Sequence, residues 1–265
     1  MQWNKVPIGK TISILPLPLQ KPALIFRNIL YNIRSFLSPH NLNTDKNKEH
    51  IETAINQSVE YVFSAGVEGD LSEFGTMTGF TAEIIAKQIS YMSDWFKSST
   101  IHSKREAKLH LFDSFEGLPD ATSEIDKKNV LVTSDIWRKG SCLGVSANKL
   151  RKMCNKHLPD DRIIIYEGWF SDTMPQLSNN NILSLVHIDS DLYQSAMDVL
   201  SYLFKNRMIA EGAIILFDDF NMCKASKEYG ERKAWSEIVQ KHKVDFSDFG
   251  NYGCAGWRFV VHNYM

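Results

Sequence analysis

At 265 residues, 43% hydrophobic and 23% charged, the chain has the composition of an ordinary globular protein, with room for one large domain and an appendage. Its 30 basic and 31 acidic side chains leave a formal charge of −1, so composition gives no argument for nucleic acid or an anionic surface as partner. Cys142, Cys154, Cys223 and Cys254 show neither CxxC nor Cys/His spacing, which argues against zinc and against a disulfide framework and fits a reducing cytoplasm.

Residues 1–20 read as irregular. The apolar stretch Ile12–Leu19 is broken by Pro16 and Pro18 and has no signal-peptide cleavage pattern. No run approaches the roughly 18–20 apolar residues that cross a bilayer, so stable membrane insertion is not expected. An amphipathic helix is predicted over Lys21–Leu37, with Phe26, Ile29, Leu30, Ile33, Phe36 and Leu37 near one face and Pro39 closing it. It is expected to pack on the domain or on a partner subunit. A polar linker is predicted over 40–48 and a second helix over Lys48–Ala65. Residues 1–65 thus form an expected helical extension, a lid or dimer contact, ahead of a main domain over 66–265.

From there strands and helices alternate. Gly69–Phe74 reads as a strand, followed by the turn Gly75-Thr76-Met77-Thr78-Gly79 and a helix over Phe80–Tyr91. The basic cluster Lys97–Lys108 reads as a solvated connection. Lys108–Phe112 is a strand ending at Asp113. Residues 120–145 resist assignment. A helix over Ser146–His157 has Ser146 as its N-cap. The strand Arg162–Tyr166 ends at Glu167 and the strand Ile182–Ile188 ends at Asp189. The helix Tyr193–Phe204, the strand Ala213–Phe217, the helix Gly230–His242 and the strand Gly256–His262 complete the chain. Alternation of this kind, with β-branched apolar strands, predicts an α/β fold: a doubly wound, mostly parallel sheet with helices on both faces.

Two of these strands end in carboxylates, Asp189 in the first case and Asp218-Asp219 in the second. Acids at the ends of buried strands are costly without a counter-charge, and hard oxygen ligands suit Mg²⁺ or Ca²⁺. The crevice outside the strand ends is also where open α/β sheets bind ligands. The glycine turn after the first strand lacks the full G-x-G-x-x-G of dinucleotide binders, which disfavours an NAD-dependent oxidoreductase. Glu73, just before it, repels a pyrophosphate and attracts a cation; S-adenosylmethionine is a cationic ligand without phosphate. Asp113 ends the next strand, where a ribose diol is held in doubly wound folds, or else it caps Asp113-Ser114-Phe115-Glu116. His187 shares a face with Asp189; it reads as a base or as a satisfied core histidine. Asp191 reads as an N-cap of the next helix, Tyr193 as packing, Arg232 and Lys233 as surface, and Trp257 and Arg258 as packing at a sheet edge.

The segments Glu73-Phe74-Gly75 with Gly79, Asp113-Ser114-Phe115-Glu116-Gly117-Leu118-Pro119, Glu167-Gly168-Trp169-Phe170-Ser171-Asp172-Thr173-Met174-Pro175, Asp189-Ser190-Asp191-Leu192-Tyr193-Gln194-Ser195 and Asp218-Asp219-Phe220 occur in that order. Together they resemble the macrocin O-methyltransferase family, which methylates sugar hydroxyls in natural-product tailoring, over about residues 66–262. The resemblance implies a class I, Rossmann-like methyltransferase with a seven-stranded sheet, using S-adenosylmethionine and Mg²⁺. It implies that Glu73, Gly75, Thr76, Gly79, Asp113, Ser114 and Trp169 serve the cofactor. Asp189, Asp218 and Asp219 map to the metal ligands, with Asp189 as the first choice of base and His187 as the second. Ser190 stands where the family usually has Gly, and Thr76-Met77-Thr78 departs from the family's first turn. A sugar or glycoside acceptor and a homodimer are expected. The alternatives are a catechol-type acceptor for the same chemistry, or a carbohydrate-binding protein that keeps the fold without the reaction.

Overall fold

A computed structural model describes residues 41–97 and 106–265. The predicted helix over Lys21–Leu37 and most of the basic connection Lys97–Lys108 lie outside the described residues. The chain divides into two units, Met1–Glu49 and His50–Met265. Helix α1 spans Asn41–Ser64, so the predicted polar linker 40–48 is helical from Asn41. Residues 50–65, expected to go with the N-terminal extension, belong to the larger unit. The physical reason is an apolar stripe: Ile51, Ala54, Ile55, Val59, Val62 and Phe63 are all buried in its core.

The larger unit is one seven-stranded sheet. Its strands are β1 (Asp70–Phe74), β2 (Leu109–Asp113), β3 (Ile163–Glu167), β4 (Leu183–Ile188), β5 (Ile209–Phe217), β6 (Asp245–Tyr252) and β7 (Gly256–Asn263). Their order is β3-β2-β1-β4-β5-β7-β6. β1 to β5 pair in parallel, and β7 is antiparallel to both β5 and β6. Helices α2 (Phe80–Phe96), α3 (Ala147–Cys154), α4 (Tyr193–Lys205) and α5 (Gly230–His242) connect the strands. Ser146 caps α3 as expected, its side chain accepting from Lys149 N.

Strand alternation sorts the core into two layers. Leu71, Leu109, Leu111, Leu185, Ile214 and Leu216 pack with α1, α2 and α3. Phe74, Phe112, Val186, Ile188, Ile215 and Phe217 pack with α4 and α5. Burying each large side chain stabilises the fold by about 1.5–3 kcal/mol.

β6 is absent from the sequence reading. Asp245-Phe246-Ser247-Asp248-Phe249-Gly250 carries no apolar run, because it is an outermost strand with register irregularities at Asp245/Phe246 and Asp248/Gly250. β7, read as an edge, lies inside the sheet between β5 and β6. Arg258 on β7 is buried and donates Nη1 to the Ala54 carbonyl at 3.1 Å, tying the strand to α1. No helix of the described residues is long and apolar enough to cross a membrane.

Candidate active site

The order β2-β1-β4-β5 leads the chain out to opposite sides of the sheet from β1 and β4, opening a crevice at their carboxyl ends. Gly75 sits at the centre of it. Its φ is +90°, and a Cβ there would meet the backbone oxygen of Asp189 at 1.9 Å. Glycine is therefore required so that the turn after β1 lies directly against the backbone that carries Asp189.

Asp113 fastens this turn. Its Oδ2 accepts from Thr76 N at 2.7 Å, Thr76 Oγ1 at 3.0 Å and Met77 N at 3.1 Å, and its Oδ1 accepts from Phe115 N at 2.7 Å. One acceptor position of Oδ1 is left for a ligand. No helix follows Asp113, so the helix-capping alternative does not hold.

Glu73 and His187 are neighbours across the β1–β4 ladder, and both are 0% exposed. His187 Nδ1 lies 3.0 Å from Glu73 Oε1, which also accepts from Thr81 Oγ1. The pair meets the cost of burying the carboxylate from inside the sheet. Glu73 Oε2 and His187 Nε2 have no hydrogen-bond partner among the described residues.

A cavity of about 540 Å³ opens over the strand ends, within the size range of small-molecule sites. Gly75, Asp113, Ser114 and Trp169 line it, as do Asp189, Asp218 and Asp219. Glu73, Thr76, Gly79 and His187, expected at the site, do not. Thr76 turns its hydroxyl to Asp113, Gly79 backs onto Leu150 and Met153, and Glu73 and His187 hydrogen-bond each other beneath the floor.

The acidic cluster differs in membership from the sequence reading. Carboxylate oxygens of Asp189, Asp191 and Asp219 all lie within 4.8 Å of one another, while Asp218 lines the cavity outside that trio. Burial, compounded by neighbouring carboxylates, drives Asp189 and Asp219 well above the usual carboxylate range. Burial likewise raises Asp218, and pushes Asp191 up to about 6. Four crowded acids, all with hard oxygen donors, suit a hard divalent cation.

Asp191 is thus misread as a helix cap. It adopts a left-handed conformation, φ +59°, which aspartate tolerates better than most residues and which turns the chain between β4 and α4. The cap of α4 comes instead from far away in sequence: buried Asp126 accepts from Tyr193 N at 2.8 Å and Gln194 N at 3.1 Å. Asp126 also accepts from Ser123 Oγ, and Leu118 and Trp137 from the same loop region pack on Leu192. The stretch 120–145 that resisted assignment is therefore fastened to the helix behind Asp189 and lends Thr122, Lys139 and Cys142 to the cavity wall. Asp126→Ala removes the acceptor of the Tyr193 and Gln194 N–H groups at the start of α4 and is expected to lower stability by about 0.5–2 kcal/mol, the range for a lost helix cap. Chemical denaturation measures this; an unchanged midpoint would remove the fastening role.

Glu231 was not singled out by the sequence at all. It is 0% exposed in the first turn of α5 and accepts from Ser190 N at 3.1 Å and Asp219 N at 2.9 Å. An acid in a first helical turn reads as an ordinary partner of the helix dipole, so nothing local marks it. Cys142 also lines the cavity, beside Asp191.

The chain matches the family profile described as Macrocin-O-methyltransferase (TylF) over residues 46–247. It is 32% identical over 178 residues to demethyldecarbamoylnovobiocin O-methyltransferase of Streptomyces niveus, across 66% of this chain and 61% of that protein. It is 28% identical over 187 residues to mycinamicin III 3''-O-methyltransferase of Micromonospora griseorubida, across 69% of this chain and 68% of that protein. The match therefore spans less than two thirds of the Streptomyces niveus relative. Among solved structures, the O-methyltransferase NovP is similar with a TM-score of 0.64 and 26% identity, over 80% of this chain and 79% of that one. The calicheamicin methyltransferase CalS11 is similar in fold, with a TM-score of 0.60 and 18% identity over 95% of this chain and 89% of that one.

Proposed function

The chain belongs to the macrocin O-methyltransferase family, and from that premise we propose that it methylates a sugar hydroxyl of a glycosylated small molecule, using S-adenosylmethionine and Mg²⁺. The observation that carries the reading is the meeting of Asp189, Asp191 and Asp219 in the cavity that Gly75, Asp113, Ser114 and Trp169 also line.

When bound, S-adenosylmethionine supplies an activated methyl group, and Mg²⁺ supplies positive charge that favours an alkoxide over an alcohol. The protein's own part is to bind, orient and deprotonate. Of the cavity's charged residues, Asp113, Asp120, Asp189, Asp191, Asp198, Asp218 and Asp219 are acidic, and Lys139 is already paired with Asp120 at 2.7 Å. That excess suits a cationic methyl donor and repels a phosphate-bearing one. Gly75 brings the backbone close, Asp113 holds the turn and offers its remaining acceptor position to a hydroxyl, and Trp169 gives a flat apolar wall. Asp189, Asp191 and Asp219 would hold the metal, with Asp218 beside them. Asp189 is the base: it takes the hydroxyl proton, and fixing the acceptor beside it contributes several kcal/mol to lowering the barrier. Glu73 and His187 support the floor by holding β1 against β4.

The lining favours a sugar over a flat phenol. Trp169 and Phe170 are the aromatic residues among the lining groups, while Ser114, Thr122, Lys139, Gln194, Ser195 and Asp198 offer hydrogen bonds. The acceptor class is tested by incubating the protein with S-adenosylmethionine, Mg²⁺ and a panel of glycosides, nucleotide sugars and catechols, with methylated products read by mass spectrometry. Methylation of catechols alone would overturn the sugar assignment, and absence of S-adenosylmethionine binding by calorimetry would overturn the whole reading.

The metal assignment predicts a pH-dependent stabilisation. Without metal, the raised carboxylates hold protons in the folded state that the unfolded chain releases above about pH 4. Stability from this cluster is therefore present at low pH and lost as pH rises through the folded values, about 6 for Asp191 and well above the usual carboxylate range for Asp189 and Asp219. A cation replaces those protons, so Mg²⁺ is expected to raise Tm more at pH 8 than at pH 5.5. At a hundred times its Kd the gain is about 2.7 kcal/mol. An equal rise at both values, or none at either, contradicts a metal on these carboxylates.

A further inference from the structure

The two acidic loops come from different strands, Asp189-Ser190-Asp191 after β4 and Asp218-Asp219 after β5. The ladder between β4 and β5 ends at Ile188 paired with Phe217, and its last backbone bond, Asp218 N to Ile188 O at 3.0 Å, reaches only the start of the Asp218 loop. Beyond that point Glu231 joins them. Its Oε1 accepts from Ser190 N at 3.1 Å and its Oε2 from Asp219 N at 2.9 Å. One N–H belongs to the residue between Asp189 and Asp191, and the other to Asp219 itself, so both bonds end on the backbone of the trio whose oxygens lie within 4.8 Å.

We propose that Glu231 is a positioning residue for the cation site, a buried strut that sets the distance between the Asp189–Asp191 loop and the Asp219 loop. The proposal rests on the reading of that trio as a metal site. A carboxylate suits the task because both of its oxygens accept; an amide in the same place accepts with one and presents a donor to the other N–H. Groups that orient ligands from behind typically change metal affinity by about 10–100-fold when replaced.

The test measures Mg²⁺ binding and S-adenosylmethionine binding separately, by calorimetry, on the full chain and on Glu231→Gln. The expected result is an Mg²⁺ Kd raised by about 10–100-fold, with the S-adenosylmethionine Kd changed by less than about twofold, below the roughly 1.4 kcal/mol of a tenfold step. Equal Mg²⁺ affinity in the two proteins overturns the strut. A parallel weakening of both ligands also overturns it, since that is the mark of a general structural role. Should Glu231→Gln not fold, Glu231→Asp is read by its Mg²⁺-dependent rise in Tm: a smaller rise than the native chain shows supports the strut, and an equal one overturns it. If the native chain itself takes up no Mg²⁺, the metal reading fails and the strut falls with it, a result distinct from native binding that the variant retains.

Discussion

Asp189→Asn is expected to lower methyl transfer by about 10²–10⁴-fold, the range for losing a positioned base, while S-adenosylmethionine binding stays within a few-fold. Asparagine keeps the volume and removes the charge and the basic oxygen, so the backbone contact with Gly75 survives. Asp189 is the residue on which every line of the site converges. It lies in the trio with Asp191 and Asp219, it lines the cavity, and its own backbone touches the turn after β1. The check is the single-turnover rate at saturating S-adenosylmethionine and acceptor, beside calorimetry of the cofactor alone. A rate within threefold of native would sink the assignment. The same assay separates the neighbours. If the trio defines the metal, Asp191→Asn costs more Mg²⁺ affinity than Asp218→Asn; if Asp218 is the ligand that the family resemblance implies, the order reverses.

Gly75→Ala is expected to be among the most damaging single-methyl changes in the molecule, destabilising by more than about 4 kcal/mol. The added Cβ would sit 1.9 Å from the Asp189 carbonyl oxygen, and the obstacle is backbone rather than the end of a flexible side chain. β1 and β4 cannot simply part to admit it. Gly75 N donates to Phe112 O at 2.9 Å and Asp189 N donates to Phe74 O at 2.9 Å, so the residues on either side of the clash are bonded into the sheet. For a chain of this size the loss corresponds to a fall in Tm of about 8–16 °C or more. Gly66→Ala is the control. Gly66 also has positive φ, +68°, but a Cβ there has nothing within 4 Å, so its cost is the left-handed backbone alone, roughly 1–2 kcal/mol. Thermal unfolding of the two variants side by side decides the matter. Equal losses would mean that backbone conformation, and not the approach to Asp189, accounts for the glycine.

Much of this architecture was written in local pattern. β1, β2, β3 and β4 were bounded to within a residue, and α5 was read as Gly230–His242, its observed span. Buried parallel strands demand apolar, β-branched runs, and the acids that close them stand out against those runs. β6 was invisible because an outermost strand needs no such run. β5 starts at Ile209, four residues ahead of its predicted start, because Glu211 and Gly212 interrupt the apolar pattern at an irregularity between the Leu183–Ile209 and Leu185–Ile214 pairs.

The site was legible in its composition and not in its arrangement. Sequence singled out Asp189, Asp218 and Asp219, and by itself also Gly75 and Asp113, because each follows directly on a strand. It could not show that Asp191 turns into the cluster, since that depends on one left-handed residue. Nor could it show that Asp126 replaces Asp191 as the cap of α4, or that Glu231 spans two loops, since these are hydrogen bonds between residues 67, 41 and 12 positions apart. Glu73 and His187 were drawn to the ligand by their position near strand ends, yet adjacent strands in register bring them into a hydrogen bond with each other under the floor. The sequence by itself determined the fold, the family and the acids at the strand ends, because periodicity and motif are local properties of a chain. Which acids face one another, and which are held in place by others, was decided by tertiary structure, because the energy of a buried charge depends on every group brought within a few ångströms of it.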